Sequence, residues 1–142
     1  MKLVIDMKIE TIEKLIDYQK TCYLSSVDKN GYPNTRAMLK PRKRNGLQEL
    51  FLTTNTSSGK VKTFKKNNKA CLYFCDQRFI RGVMLIGKIE VMEDIYHKKL
   101  IWEETDTLYY KEGVTDPDYC VLKFTTAKVS CYHSFKVEEF DI

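Results

Sequence analysis

No apolar run in the sequence approaches the roughly 18 residues a membrane-spanning helix needs, so a helical membrane protein is not expected. The opening residues Met1-Lys2-Leu3-Val4-Ile5-Asp6 meet an acidic side chain too early for a secretory leader, and a cytoplasmic protein is the expectation. Histidine is scarce. His97 and His133 are the only two, and neither has a second plausible metal ligand nearby in sequence. The cysteines are odd in number (Cys22, Cys71, Cys75, Cys120 and Cys131), and no pair has C-x-x-C spacing. Buried free thiols in a reducing compartment, with no metal, are the reading that follows. Internal repeats, linkers and low-complexity tracts are also missing, as is any run of aromatics interleaved with basic residues of the kind that stacks nucleic-acid bases.

What is present fits one domain with one core: 142 residues, 43% apolar and 30% charged, with a net charge of +5 and a local excess of lysine between Lys60 and Lys69. Ile9, Ile12, Leu15 and Ile16 recur at helical spacing and predict a first helix between Lys8 and Tyr18. Cys22 to Val27 and Pro33 to Leu39 read as the two strands of a hairpin, joined by the turn Asp28-Lys29-Asn30-Gly31. Arg42-Lys43-Arg44-Asn45-Gly46 reads as a polar turn and Leu50 to Thr54 as a third strand. Val61 and Phe64 mark a short helix ending near Asn67. Ala70 to Cys75 and a longer run from Phe79 to Met92 read as strands, the latter interrupted by Gly82 and Gly87. Asp94 is placed to cap a second main helix carrying Ile95, Lys98, Ile101 and Trp102. A loop follows at Glu112-Gly113 and Asp116-Pro117-Asp118. Tyr119 to Thr126 and Lys128 to Phe135 read as the closing strands. Six or seven strands in hairpin-like succession, without β-α-β alternation, predict a mainly β fold: an antiparallel barrel with peripheral helices.

Two segments carry possible chemistry. In Thr35-Arg36-Ala37-Met38-Leu39-Lys40, strand alternation puts Arg36, Met38 and Lys40 on one face. Such a row of cations is either turned to water or matched by an anion, because burying it alone is costly. In Thr53-Thr54-Asn55-Thr56-Ser57-Ser58-Gly59-Lys60, a strand ends, hydroxyl side chains follow, and a helix starts with lysine in its first turn. Free N–H groups at a helix start favour an anion, whereas a lysine there opposes the helix dipole. The segment reads either as an ordinary Ser58-capped helix or as a phosphate site. It is no nucleoside-triphosphate loop, since Thr54 and Val61 stand where G-x-x-x-x-G-K-[ST] requires Gly and Ser or Thr.

With these segments in view, the chain resembles the pyridoxamine 5′-phosphate oxidase-like superfamily of split β-barrels that bind flavin mononucleotide (FMN), and within it the small general stress protein branch. The resemblance rests on Arg36-Ala37-Met38-Leu39, Leu50 to Lys60, Ala70 to Asp76, Val83 to Glu90, Lys99-Leu100-Ile101-Trp102 and Gly113 to Pro117, in that order, across nearly the whole chain. It implies one FMN-binding split-barrel domain over residues 1–142, of six or seven strands. Arg36 and Lys60 would bind the FMN phosphate, with Ser58 as a hydroxyl donor and Ser57 also among the cofactor-binding residues. Ala37, Met38 and Leu39 would line the isoalloxazine, and Thr53 and Thr54 would contact the ribityl chain or ring edge. Tyr132 would reach the flavin from a partner subunit, in a homodimer with its sites at the subunit interface.

The resemblance has departures. The oxidase proper carries arginine where Gly59 stands, glutamine where Gly82 stands and a substrate-binding lysine where Pro41 stands, with Lys40 one residue away. Its C-terminal substrate motif is absent from Val137-Glu138-Glu139-Phe140-Asp141-Ile142. These differences argue against pyridoxamine phosphate oxidation itself. The expected activity is that of an FMN-dependent oxidoreductase on an unidentified small molecule. The alternatives are a non-catalytic flavin binder that buffers or senses cofactor during stress and, further off, an RNA-binding β-barrel. No nucleic-acid or membrane partner is expected, and no side chain stands out as a necessary general acid or base.

Overall fold

Residues 8–142 are described by the computed structural model of the chain. The Met1–Asp6 stretch read above for a leader lies outside the described residues. The chain runs α1 (Ile9–Tyr18), β1 (Thr21–Val27), β2 (Pro33–Leu39), β3 (Lys43–Asn45), β4 (Glu49–Asn55), α2 (Gly59–Lys66), β5 (Lys69–Asp76), β6 (Arg81–Met92), α3 (Ile95–Leu100), β7 (Tyr119–His133) and β8 (Lys136–Asp141). Two short 3₁₀ turns, Glu104–Leu108 and Gly113–Thr115, lie between α3 and β7.

All strand pairings are antiparallel, in the order β2-β1-β5-β6-β7-β4-β3, with β8 also on β7. Strand alternation explains how the sheet encloses one core. Cys22 and Leu24, Leu50 and Leu52, Leu72 and Phe74, and Val83 and Leu85 all face inward. They meet Leu122, Phe124 and Val129 of β7, Ile12 and Ile16 of α1 and Phe64 of α2 in a single cluster, so the sheet curls around its own inner face as a split barrel. A second cluster, of Phe51, Ile101, Tyr110, Tyr119 and Val121, seats the segment after α3 against β4 and β7. Arg42 fastens that segment with a bidentate ion pair to buried Asp106 (Nη2 to Oδ1, 2.7 Å).

The hairpin succession is as expected, but eight strands form among the described residues rather than six or seven. The polar turn expected at Arg42–Gly46 contains β3, which pairs Lys43–Asn45 with Phe51–Glu49. Arg44 fixes it by bonding Asp17 and Glu13 of α1, and the reversal falls later, at Gly46 with φ +57°. The two closing strands are one strand, β7, and β8 follows it. β6 starts at Arg81 rather than Phe79, since Ile80 adopts φ +50° in the turn. The second main helix is only the six residues of α3. Asp94 caps it by accepting from His97 N–H, but Ile101 and Trp102 lie beyond its end. There Arg42 Nη1 donates to Ile101 O at 3.1 Å, a tertiary bond that ends the helix. Cys71 and Cys75 share the outer face of β5, half-buried, while Cys22, Cys120 and Cys131 are buried, and all five are free thiols.

Candidate anion site at the start of α2

β2 is an edge strand, held among the described residues only by β1, with Arg36 opposite Leu24 and Asn34 opposite Ser26. Arg36 turns inward and is half-buried. Its Nη1 donates to Leu24 O (3.2 Å) and its Nη2 to Oγ of buried Ser26 (3.0 Å). These are neutral acceptors, and no carboxylate bonds Arg36 among the described residues. Burial lowers its pKa below the usual guanidinium value.

Lys60 comes from the other side, in the first turn of α2. Its Nζ donates to Ser58 Oγ at 2.9 Å. Burial lowers its pKa first, and the charge of Arg36 lowers it further. Arg36 therefore lies close enough to disfavour the charge on Lys60, and the hydrogen-bond acceptors of both cations are neutral. That arrangement is costly unless an anion joins them.

The backbone adds to this. Ser58 occupies the N-cap of α2, but its hydroxyl accepts from Lys60 rather than capping the helix. Ser58 N–H is used by Asn55 O, and Val61 N–H by Ser58 O. The amides of Gly59 and Lys60 find no acceptor among the described residues, and both point along the helix start where an anion is favoured. A Cβ placed on Gly59 would meet no heavy atom within 4 Å, so this corner is open. Ser57 is held differently. Its N–H is taken by Asp118 Oδ1 at 2.8 Å, which with Thr56 N–H on Asp118 O ties the loop to the start of β7.

The structure thus joins Arg36, Ser58 and Lys60, with Ser57 on the same loop. Thr54 is buried at the end of β4 opposite Cys120, and Thr53 is half-buried and turned to the other face. Ala37 and Leu39 lie exposed on the outer side of β2, whereas Met38 packs against the core. As an edge strand, β2 keeps main-chain donors and acceptors free beside these residues. Lys40 points elsewhere, its Nζ donating to Asp17 O. Tyr132 is not brought to this corner. It sits at the far end of β7, opposite Gly82 and Val137, whereas Cys120 beside Thr54 is near the start of that strand.

Two contributors were not evident from sequence. Ser26 acquires its role only through cross-strand placement, for which no local pattern exists. Asp118 belongs to a stretch legible as a loop, but its partner Ser57 is 61 residues away.

The chain matches the pyridoxamine 5′-phosphate oxidase family over residues 9–132. A comparison with curated proteins returned no match. Among solved structures, it is similar to a protein from Clostridium acetobutylicum related to general stress protein 26 of B. subtilis, of the pyridoxinephosphate oxidase family. The identity is 39%, with 97% of each chain covered and a TM-score of 0.87. General stress protein 26 of Bacillus anthracis str. Sterne shares the fold at 19% identity and TM-score 0.76, over 94% of this chain and 98% of that one. A nimC/nimA family protein of C. acetobutylicum shares it at 20% identity and TM-score 0.74, over 94% and 93%. By this match along most of its length, and by its curled antiparallel sheet, the chain belongs to the pyridoxamine 5′-phosphate oxidase family and has its flavin-type fold.

Proposed function

We propose that this protein binds FMN and works as an FMN-dependent oxidoreductase on a small molecule. The observation that carries the reading is the convergence of Arg36 and Lys60 without a carboxylate between them, beside two free amides. A phosphate monoester fits this corner. It is dianionic near pH 7 and offers several acceptor oxygens. Arg36 and Lys60 would supply charge-assisted bonds, the Gly59 and Lys60 amides would supply dipolar donors, and Ser58 Oγ would supply a hydroxyl.

From that anchor the flavin ring would extend along β2. The exposed side chains of Ala37 and Leu39 and the free main-chain groups of the edge strand give it a flat surface with hydrogen-bonding positions. Met38 supports this surface from behind: its side chain packs in the core and its main chain pairs with Cys22 of β1. Thr53 and Thr54 stand at the end of β4, where the ribityl chain would pass. FMN, when bound, supplies the redox chemistry; the chain's own residues bind and orient it and shield its phosphate from water.

The same reading makes the protein a homodimer. Tyr23 and Tyr73, side by side on the outer face of β1 and β5, and Leu39 on β2 leave an exposed apolar surface. Such a surface suits a second copy of the chain. Tyr132, remote from Lys60 in its own chain, would then serve the partner's flavin.

The test is the absorption spectrum and flavin content of freshly purified protein, alongside Arg36→Ala/Lys60→Ala. Bound FMN in the parent, lost in a folded double variant, is the expected result; equal flavin affinity in both would defeat the reading. Turnover with a nicotinamide cofactor and an added acceptor separates an oxidoreductase from a flavin binder inert to every donor. Sedimentation of the parent separates dimer from monomer.

A further inference from the structure

The loop that leads into α2 is fixed from a distant part of the chain. The connection between α3 and β7 ends in Asp116-Pro117-Asp118, and it meets the loop at two consecutive amides. Thr56 N–H donates to Asp118 O at 2.7 Å, and Ser57 N–H donates to Asp118 Oδ1 at 2.8 Å. One residue thus grips the turn by main chain and side chain together.

Asp118 is itself held in place. Its N–H donates to Asp116 Oδ1 at 2.9 Å, and the ring of Pro117 restricts the backbone between them. Asp116 is anchored in turn. Its Oδ2 accepts from Glu112 N–H at 3.2 Å, and its carbonyl accepts from Tyr119 N–H and from Nζ of buried Lys98, both at 3.0 Å. Tyr119 is fully buried in the second apolar cluster, and its hydroxyl donates to Lys98 O at 2.8 Å. A chain of bonds therefore runs from that cluster through Asp116 and Asp118 to the start of α2.

We propose that Asp118 is a positioning residue of the anion site, acting through the Thr56 and Ser57 amides on the donors that follow them. The proposal rests on the reading of that site as one for the phosphate of FMN. Ser58, Gly59 and Lys60 come directly after the gripped amides, so fixing the turn sets the direction of Ser58 Oγ and of the two free amides before a ligand arrives. Donors ordered in advance bind without a further ordering cost. The grip also limits what the loop offers. Ser57 N–H is spent on Asp118, which leaves the Gly59 and Lys60 amides for the anion.

The carboxylate acts on affinity in two opposed ways. The bond it accepts orders the loop, whereas its negative charge stands beside a site for an anion and repels it. Substitution separates the two. Asparagine keeps an oxygen that accepts from Ser57 N–H and removes the charge. Alanine removes both.

The experiment is fluorescence titration of FMN, and of riboflavin, which lacks the phosphate, into flavin-free parent, Asp118→Asn and Asp118→Ala. Asp118→Ala is expected to bind FMN about tenfold more weakly and riboflavin within about twofold of the parent, because only the phosphate uses the ordered loop. Asp118→Asn is expected to bind FMN at least as tightly as the parent. A merely structural defect would weaken both flavins alike. Amide exchange of the parent, read by NMR, needs no variant: Ser57 N–H should be protected with and without FMN, and Gly59 and Lys60 N–H only with it. The proposal is overturned if Asp118→Ala keeps the parent's preference for FMN over riboflavin, if Asp118→Asn binds FMN as weakly as Asp118→Ala, or if Ser57 N–H is unprotected in the flavin-free parent. A parent without any preference for FMN over riboflavin overturns it together with the phosphate reading, whereas a preference that survives Asp118→Ala overturns this proposal alone.

Discussion

Replacing Lys60 with methionine should stabilise the flavin-free protein while impairing it as a flavin binder. Lys60 is held by a single hydrogen bond, to Ser58 Oγ, and its charge is disfavoured by burial and by Arg36. Methionine keeps the apolar stem that lies along α2 and removes the charge. For a partly exposed like-charge pair, the relief is about 0.5–1 kcal/mol, by analogy with the magnitudes measured for exposed ion pairs. That corresponds to a rise in Tm of about 3 °C for a domain of this size. Loss of one charge-assisted bond to phosphate should cost about 1.5–3 kcal/mol of binding, or about 10- to 150-fold in Kd. Arg36→Met differs on the first count. It strands buried Ser26 Oγ and Leu24 O, so it should lose stability as well as affinity. The assays are urea unfolding of flavin-free protein and titration of FMN fluorescence. A Lys60→Met protein that is less stable than the parent, or that binds FMN equally well, refutes the idea that Arg36 and Lys60 are held together for an anion.

The titration of Lys60 gives that prediction a pH dependence. Its pKa is lowered on folding, so the folded protein releases this proton at lower pH than the unfolded chain, and flavin-free stability should rise as pH climbs through the folded value toward the ordinary lysine range. FMN affinity should run the other way, falling as Lys60 loses its charge, and it should also fall below about pH 6 as the phosphate protonates. Stability at the acid end depends on Asp76, whose pKa the Arg78 and Arg81 bonds lower to about 2. Its contribution is complete above its unfolded value of about 3.9 and disappears as pH falls toward 2. Urea midpoints between pH 5 and 2.5 should therefore drop less steeply in Asp76→Asn. Gly87→Ala should destabilise the fold by about 1–3 kcal/mol, measured as a lower urea midpoint with unchanged slope. Its Cβ would collide with the Thr125 carbonyl at the β-bulge, where only backbone could give way.

Strong local signals placed most of the fold. The helical spacing of Ile9, Ile12, Leu15 and Ile16 located α1, and the Asp28–Gly31 turn located the first hairpin, since both depend on neighbours within a few residues. β3 and the early end of α3 were not legible, because Arg42 and Arg44 decide both through partners far along the chain, at Asp106, Ile101, Asp17 and Glu13. The gap read at Ala127 is a bulge rather than a strand break: the pairing with β6 skips Ala127, shifting register between Gly87 and Ile86, and resumes at Lys128, where the pairing with β8 also begins. At the candidate site, charge and spacing marked the two segments and left their roles open; the family resemblance selected Arg36, Ser58 and Lys60, and the fold brings these three together. The acceptors of Arg36 and the acidic brace on Ser57 are tertiary, and sequence spacing carries no trace of them.

The placement of Tyr132 allows the dimer and the site to be tested together. If it serves the flavin of the partner, each site draws its phosphate cations from one chain and its distal aromatic from the other. An Arg36→Ala/Lys60→Ala chain and a Tyr132→Ala chain would each form homodimers with two defective sites. A mixed dimer, however, concentrates both defects in one site and leaves the other whole, as the twofold symmetry of an isologous pair requires. Equal amounts unfolded together and refolded should give about half mixed dimers, and hence about one quarter of the parent's flavin content, read from absorbance after removal of free FMN. If Tyr132 acted on the flavin of its own chain, no combination would contain an intact site, and mixing would restore nothing. If it touched no flavin, the Tyr132→Ala protein would retain FMN unmixed. Recovery from two deficient proteins is thus an outcome that only a shared site produces.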